Sequence, residues 1–409
     1  MASLDLRTKA DAEIRDIDVG EFCEEQLPKL LLEHGELAAR GLRHLGLPPL
    51  ALEVDGEAYT FAAEDGSIVV RNGVDPAAIL AAIDRQSFSD LVQEVLTTTA
   101  LSTSRAAEIR QGSVSDFVDW DIVLRAMLDG RPVHEPGMVT FADRDGEPLD
   151  VHRSFTWDDD DADMSHFLAE TGFLHLRGWF DTARMDTISD DIDRALPTYT
   201  PDDGRSWWAT LADGTDRCVR LQHFVAHSPT TAELLDDPRY LRIAGLADDG
   251  YTRGAIEGNI IEALVKPIGV VRGISDLPWH KDCSIGRHSY RCCGMVVGIS
   301  VTGADEQSGR LSTVAGSNRA SISHQLRPDL DLPIVPLPTE TGDVTVHLSC
   351  TLHHSKPPVA RERKVMYSGF GLPPRPGDTG AGADRLSRVR ENAYKTTDGG
   401  YVSNREGAA

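Results

Sequence analysis

The apolar positions of this chain change period several times, and the changes divide it. Between residues 22 and 47 two apolar sets recur at helical spacing: Leu27, Leu30 and Leu31, then Ala38, Leu42 and Leu45, with Gly35 between them as an expected break. Residues 52–61 alternate in strand fashion, Glu64-Asp65-Gly66 signals a turn, and residues 67–70 return to a β pattern. Helical patterning is expected over 75–83 and 88–97. A last amphipathic helix, 117–128, stops at Asp129-Gly130-Arg131-Pro132. These elements predict an α+β module over residues 21–135, preceded by a flexible tail of residues 1–20. No cluster of His, Cys or paired carboxylates accompanies the pattern, so nothing in it points to catalysis.

Residues 136–164 carry Pro136-Gly137, Arg144-Asp145-Gly146-Glu147-Pro148 and the run Asp158-Asp159-Asp160-Asp161, and are expected to form an acidic linker. A second domain is expected over 165–375. Residues 167–180 read as a helix, a Gly172 cap and a short strand, followed by a helix with Met185, Ile188, Ile192 and Ala195 on one face. From 259 to 370 the pattern is short β runs (259–266, 294–301, 310–314, 343–348 and 364–370) separated by Gly, Pro, Asn and Asp. That predicts a mainly-β, double-stranded β-helix domain (jelly-roll, cupin-like) with flanking helices. Residues 376–409 read as a polar tail. The acidic linker makes the two domains independent by expectation, so that a chain starting near Asp150 should fold alone.

Composition sharpens this picture in one respect. The 409 residues hold 41 Lys+Arg and 65 Asp+Glu, a net charge of −24. Residues 1–150 hold 13 basic and 29 acidic side chains, a net of −16, leaving −8 for the other 259. Such a polyanion repels phosphate backbones and anionic lipid, which argues against nucleic-acid and membrane partners. There is no apolar run of bilayer length and no signal-peptide pattern, so a cytoplasmic protein is expected. The six cysteines are too sparse and irregular for a disulfide framework.

The candidate chemistry lies in the β region. In Trp279-His280-Lys281-Asp282 an imidazole and a carboxylate stand two residues apart, on one face of an extended strand. Farther on come His347, His353 and His354, then Arg363 opening another β run. Two His and one carboxylate are the facial set that holds Fe(II) while leaving three positions open. A buried Arg offers the planar fork that binds a dicarboxylate's far end.

These residues, in this order, resemble the phytanoyl-CoA dioxygenase family of Fe(II)/2-oxoglutarate oxygenases over about 165–372. The resemblance is carried by "FLAETGFLHLRGWFDTARMDTISDDIDRA", by "KPIG" at 266–269 before "WHKD", by "SGRLSTVAGSNRA" at 308–320 and by "GDVTVHLSCTLHHSKPP" at 342–358. Ala315 and Asn318 stand where Pro and His are usual, and Pro358 where Asn is usual. The resemblance implies His280, Asp282 and His353 as metal ligands, with His354 and His347 as alternatives to His353. It also implies Arg363 and Ser355 as the 2-oxoglutarate site. Residues 20–135 more weakly resemble a sterol-carrier-protein type of lipid-binding domain, through Asp55-Gly56, Asp65-Gly66-Ser67 and the segment from Trp120 to Pro132.

The implied function is an Fe(II)- and 2-oxoglutarate-dependent dioxygenase that uses O2 to oxidise, most simply to hydroxylate, a C–H bond of a small-molecule substrate of apolar or secondary-metabolite kind. Asp282 speaks against halogenation, because halogenating relatives replace that carboxylate. Two other readings are a non-catalytic jelly-roll and lipid-binding scaffold, and a cupin-type metal enzyme that does not use 2-oxoglutarate. A second copy of the chain is left open as a partner. Cys283 sits beside the proposed metal ligands but is not needed as one, Cys292-Cys293 read as packing, Lys266 either as a cosubstrate contact or as solvent-facing, and Trp207-Trp208 with Gln222-His223 as pocket lining or packing.

Overall fold

The structure is a computed structural model that describes residues 10–201, 203–247, 250–253, 260–273, 277–286, 294–373 and 377. The expected C-terminal tail, the first nine residues and the Cys292-Cys293 pair lie outside the described residues.

The first module is a five-stranded sheet in the order Ser67–Asn72, Glu57–Glu64, Leu50–Val54, Ile79–Ile83, Glu108–Gln111. The helices Leu27–Leu45 and Val114–Asp129 pack on each other and share one apolar core with the sheet, centred on Leu27, Phe61 and Trp120. Two expectations fail here. The helix Leu27–Leu45 runs unbroken through Gly35, because that glycine is a point of close approach: a Cβ there would lie 2.3 Å from Ser67 Oγ. Residues 79–83 form a strand, not helix, paired in parallel with Leu50–Val54, and their alternate burial shows the two-residue period. The expected tail is ordered from Ala10, with Ile17 and Val19 buried in the same core.

The expected linker is a strap on the second domain. Phe155 forms a bridge to Leu176 and is fully buried, edge-on to Phe167 at 5.2 Å. Within the acidic run, Asp160 caps the helix Asp161–Thr171 by accepting from the backbone of Ala162 and Asp163.

The second domain has two sheets. The larger runs in the order Val270–Arg272, Ser206–Leu211, Asp216–Leu221, Ile261–Lys266, Arg363–Gly371, Gly294–Ser300, Val344–Leu348, Phe173–Leu176. The smaller runs Leu277–His280, His353–Ser355, Leu311–Val314, Ile334–Leu337. Side chains of both sheets, Val265 and Val297 from one and Leu311 and Val335 from the other, meet in one core. This is the layering expected of a jelly roll.

The two domains are joined by a polar seam. Asp119 accepts from Ser323 Oγ and, at 3.0 Å, from Arg327, whose other nitrogen donates to Leu45 O at 3.1 Å. His134 lies 2.7 Å from Asp331, and Thr99 Oγ1 lies 2.8 Å from His324 Nδ1. Thr97 donates to Ser284 O, and Gly286 lies so close to the first module that a Cβ there would meet Val95 O at 2.2 Å. The turn Asp282–Ile285 therefore rests directly on the first module.

Candidate metal and cosubstrate site

His280 closes the strand Leu277–His280, directly opposite His353 in the neighbouring strand. Lys281 is extended and Asp282 opens a 3-10 turn, so the carboxylate returns to the face that His280 occupies. One nitrogen or oxygen from each of His280, Asp282 and His353 lies within 4.8 Å of the others. Asp282 Oδ1 is 3.5 Å from His280 Nε2 and 3.8 Å from His353 Nε2. Both imidazoles are tethered alike: His280 Nδ1 lies 2.7 Å from Pro278 O, and His353 Nδ1 lies 2.9 Å from Thr351 O. A carbonyl can only accept, so each Nδ1 carries the proton and each Nε2 lone pair is left for a metal.

Electrostatics support the same donor set. Burial alone would raise the Asp282 pKa, but the surrounding imidazoles of His353, His280 and His347 hold that carboxyl well below its usual range. Burial, joined by His347 and His280, holds His353 well below the usual imidazole value. At His280 burial acts in the same direction, yet the neighbouring Asp282 carboxylate, which favours the charged imidazolium, outweighs it and raises the pKa. The site thus combines an ionised carboxylate with a neutral imidazole that needs no proton removed before it can ligate.

A second polar group bridges the two sheets. Lys266 and Arg363 are paired in register on adjacent strands of the larger sheet, and Ser355 comes from the smaller one. Lys266 Nζ donates to Ser355 Oγ at 2.7 Å and Arg363 Nη2 donates to it at 2.8 Å. Arg363 is 4 % exposed, and its Nε has no hydrogen-bond partner among the described residues. A buried N–H left unmade costs about 1–3 kcal/mol, more on a charged group, so this fork suits an anion that the site receives. Lys266 is buried, so its solvent-facing reading is overturned.

The other sequence candidates divide cleanly. His354 points away from the site and stacks on Trp279 at 4.8 Å. His347, the other alternative to His353, reaches the site through the carboxylate: its Nε2 lies 3.1 Å from Asp282 Oδ2 and its ring 4.1 Å from that of His353. The signal was present in the sequence, since Val344–Leu348 alternates and His347 falls six residues before His353, but spacing alone could not tell packing from contact. Cys283 is outside the metal-ligating group found among the described residues. Trp207 lies beneath Arg220 and packs with Ala209, Val219 and Val270 on the outer strands. The Gln222 carbonyl accepts from Tyr199.

Residues 168–364, just under half of the chain, match the model of the phytanoyl-CoA dioxygenase (PhyH) family. Both halves of the site fall inside that match, and enzymes of the family depend on Fe(II), 2-oxoglutarate and O2. The chain is also similar to several solved structures. AviO1 from Streptomyces viridochromogenes Tue57 is 20% identical, with 53% of this chain and 98% of that one covered and a TM-score of 0.41. EctD from S. alaskensis with bound Fe is 16% identical, covering 55% and 82%, at 0.42. The epimerase SnoN in complex with Fe3+, alpha ketoglutarate and nogalamycin RO is 16% identical, covering 51% and 82%, at 0.39. These likenesses are too distant to carry a function. No protein of curated function matches the chain by sequence. No described helix is long and apolar enough to cross a membrane.

Proposed function

We propose that this protein hydroxylates a C–H bond of a small molecule, coupling that step to conversion of 2-oxoglutarate and O2 into succinate and carbon dioxide, with the second oxygen atom entering the product as hydroxyl. The observation that carries the reading is the pairing of a His280/Asp282/His353 donor set with a buried guanidinium whose Nε has no partner. His280 and His353 offer Nε2, and Asp282 offers Oδ1, so three ligands would hold iron on one side. Arg363 and Ser355, with Lys266 beside them, would take the far carboxylate of 2-oxoglutarate. Iron, when bound, supplies the oxidising power; the protein's part is to hold it, orient the cosubstrate and keep the reacting C–H in line. A metal enzyme without 2-oxoglutarate would have no use for a buried guanidinium whose Nε has no partner among the described residues. Asp282 keeps the third protein ligand in place, which favours hydroxylation over halogenation.

The test is anaerobic addition of Fe(II) and 2-oxoglutarate to the pure protein, read as a visible charge-transfer band. His280→Ala and Asp282→Ala should each lose Fe(II) retention and 2-oxoglutarate turnover while circular dichroism stays unchanged. Full turnover in Asp282→Ala would remove this donor set from the reading.

A further inference from the structure

We propose that His347 is a positioning residue that holds the outer oxygen of Asp282, so that the carboxylate presents a single oxygen to the metal. This rests on the iron reading above and concerns a residue outside its ligand set. The two oxygens of Asp282 are in different circumstances. Oδ1 faces His280 and His353 at 3.5 and 3.8 Å, whereas Oδ2 lies 3.1 Å from His347 Nε2.

The three histidines are also wired differently. His280 and His353 spend Nδ1 on a backbone carbonyl two residues earlier and leave Nε2 toward the metal position. His347 does the reverse: its Nδ1 is buried with no hydrogen-bond partner among the described residues, and its Nε2 is engaged with Asp282. Neutral imidazole carries one proton. On Nδ1 that proton would be a buried donor without an acceptor, and the Nε2 lone pair would face a carboxylate oxygen. On Nε2 it makes the hydrogen bond, so the geometry selects the Nε2–H form. A nitrogen already donating to Asp282 has no lone pair left for a metal, which separates His347 from the ligands.

The strand keeps this arrangement in place. His347 is 2 % exposed, opposite Val296 on one side and Phe173 on the other, and the strand begins at a turn where Asp343 accepts from Gly178 N and Glu340 N at 2.8 Å. Freed of His347, the carboxylate could rotate and chelate through both oxygens, taking a position that the cosubstrate or oxygen needs.

The experiment compares the full-length protein with His347→Phe, which keeps a ring of similar bulk, and His347→Gln, whose amide can still donate from the Nε2 region. Anaerobic Fe(II) titration and the position of the band with 2-oxoglutarate are the readouts, with circular dichroism as the folding control. Expected are Fe(II) binding weakened about 10–100-fold and a displaced band in His347→Phe, with affinity and band largely restored in His347→Gln. Phe and wild-type proteins alike in both readouts would overturn the proposal and leave His347 as packing. Should His347→Phe fail to fold, a His347→Gln protein that folds yet binds Fe(II) as weakly as His353→Ala would equally overturn it. An iron site retained in His353→Ala but abolished in both His347 variants would make His347 the ligand. If the wild type binds Fe(II) but gives no band with 2-oxoglutarate, the cosubstrate reading fails, while the Fe(II) titration still decides the role of His347.

Discussion

Arg361 and Arg363 are two residues apart and face opposite surroundings. The Arg361 side chain is 55% exposed and pairs with Asp305 at 2.8 Å, whereas Arg363 is buried beside Ser355 and Lys266, where burial lowers its pKa. Exposed pairs contribute little, and a buried planar fork cannot be replaced by a point charge. Arg363→Lys should therefore weaken 2-oxoglutarate binding about 10–100-fold, the scale of one charged hydrogen bond, with Fe(II) affinity near normal. Arg361→Lys should leave both unchanged; the reverse pattern in anaerobic titrations would show that the wrong arginine has been placed at the cosubstrate. This register was legible in the sequence because a β run opens at 363. The choice among His347, His353 and His354 was less so: alternation separates His354 from its neighbours, but only the partners of each Nδ1 and Nε2 separate the other two.

Among the elements, the strands Gly294–Ser300, Leu311–Val314, Val344–Leu348 and Arg363–Gly371 were the readable part, being short apolar runs bounded by turn residues, whereas Ile334–Leu337, interrupted by a proline, and the polar His353–Ser355 were not. Residues 79–83 were not, because Ile79-Leu80-Ala81-Ala82-Ile83 suits either period and only its parallel partner decides. The helix Leu27–Leu45 carries a further lesson. Its two interior glycines look like weaknesses, yet each sits where something crosses: Gly35 against Ser67, and Gly41 against Val133, whose Cβ would be 2.9 Å from an added methyl. Gly41→Ala gains about 1 kcal/mol of helix propensity but overpacks this contact at a cost of about 1–3 kcal/mol. Net destabilisation is the expected outcome of urea unfolding, largely relieved by adding Val133→Ala. A stabilised Gly41→Ala protein would mean that Val133 gives way freely.

At the scale of the molecule, the sequence suggested two independent domains because an acidic stretch separates their patterns; it could not show that Asp119, His134, Thr97 and Thr99 have their partners some 200 residues away. Burial in this seam pushes the His324 pKa down to about 4, so the imidazole that meets Thr99 is neutral near pH 7. A chain starting at Asp150 loses every one of these partners, including the surface beneath the Asp282–Ile285 turn. It should be less soluble than the full chain and bind Fe(II) several-fold more weakly, measured by the same anaerobic titration. Undiminished affinity and solubility in the shortened chain would restore domain independence.

The strand Arg363–Gly371 lies between Ile261–Lys266 and Gly294–Ser300 in the larger sheet, although it is the last of these to be made. On the ribosome, the chain up to residue 362 therefore holds two half-sheets, each ending in an edge whose partner has not yet been translated. The side chains proposed to hold the metal are all present by then, but the arginine proposed for the cosubstrate arrives with the strand that joins the halves. Synthesis thus couples closure of the sheet to completion of the proposed pocket, and a nascent protein clipped before this strand would carry the His280/Asp282/His353 group on an open, adhesive scaffold.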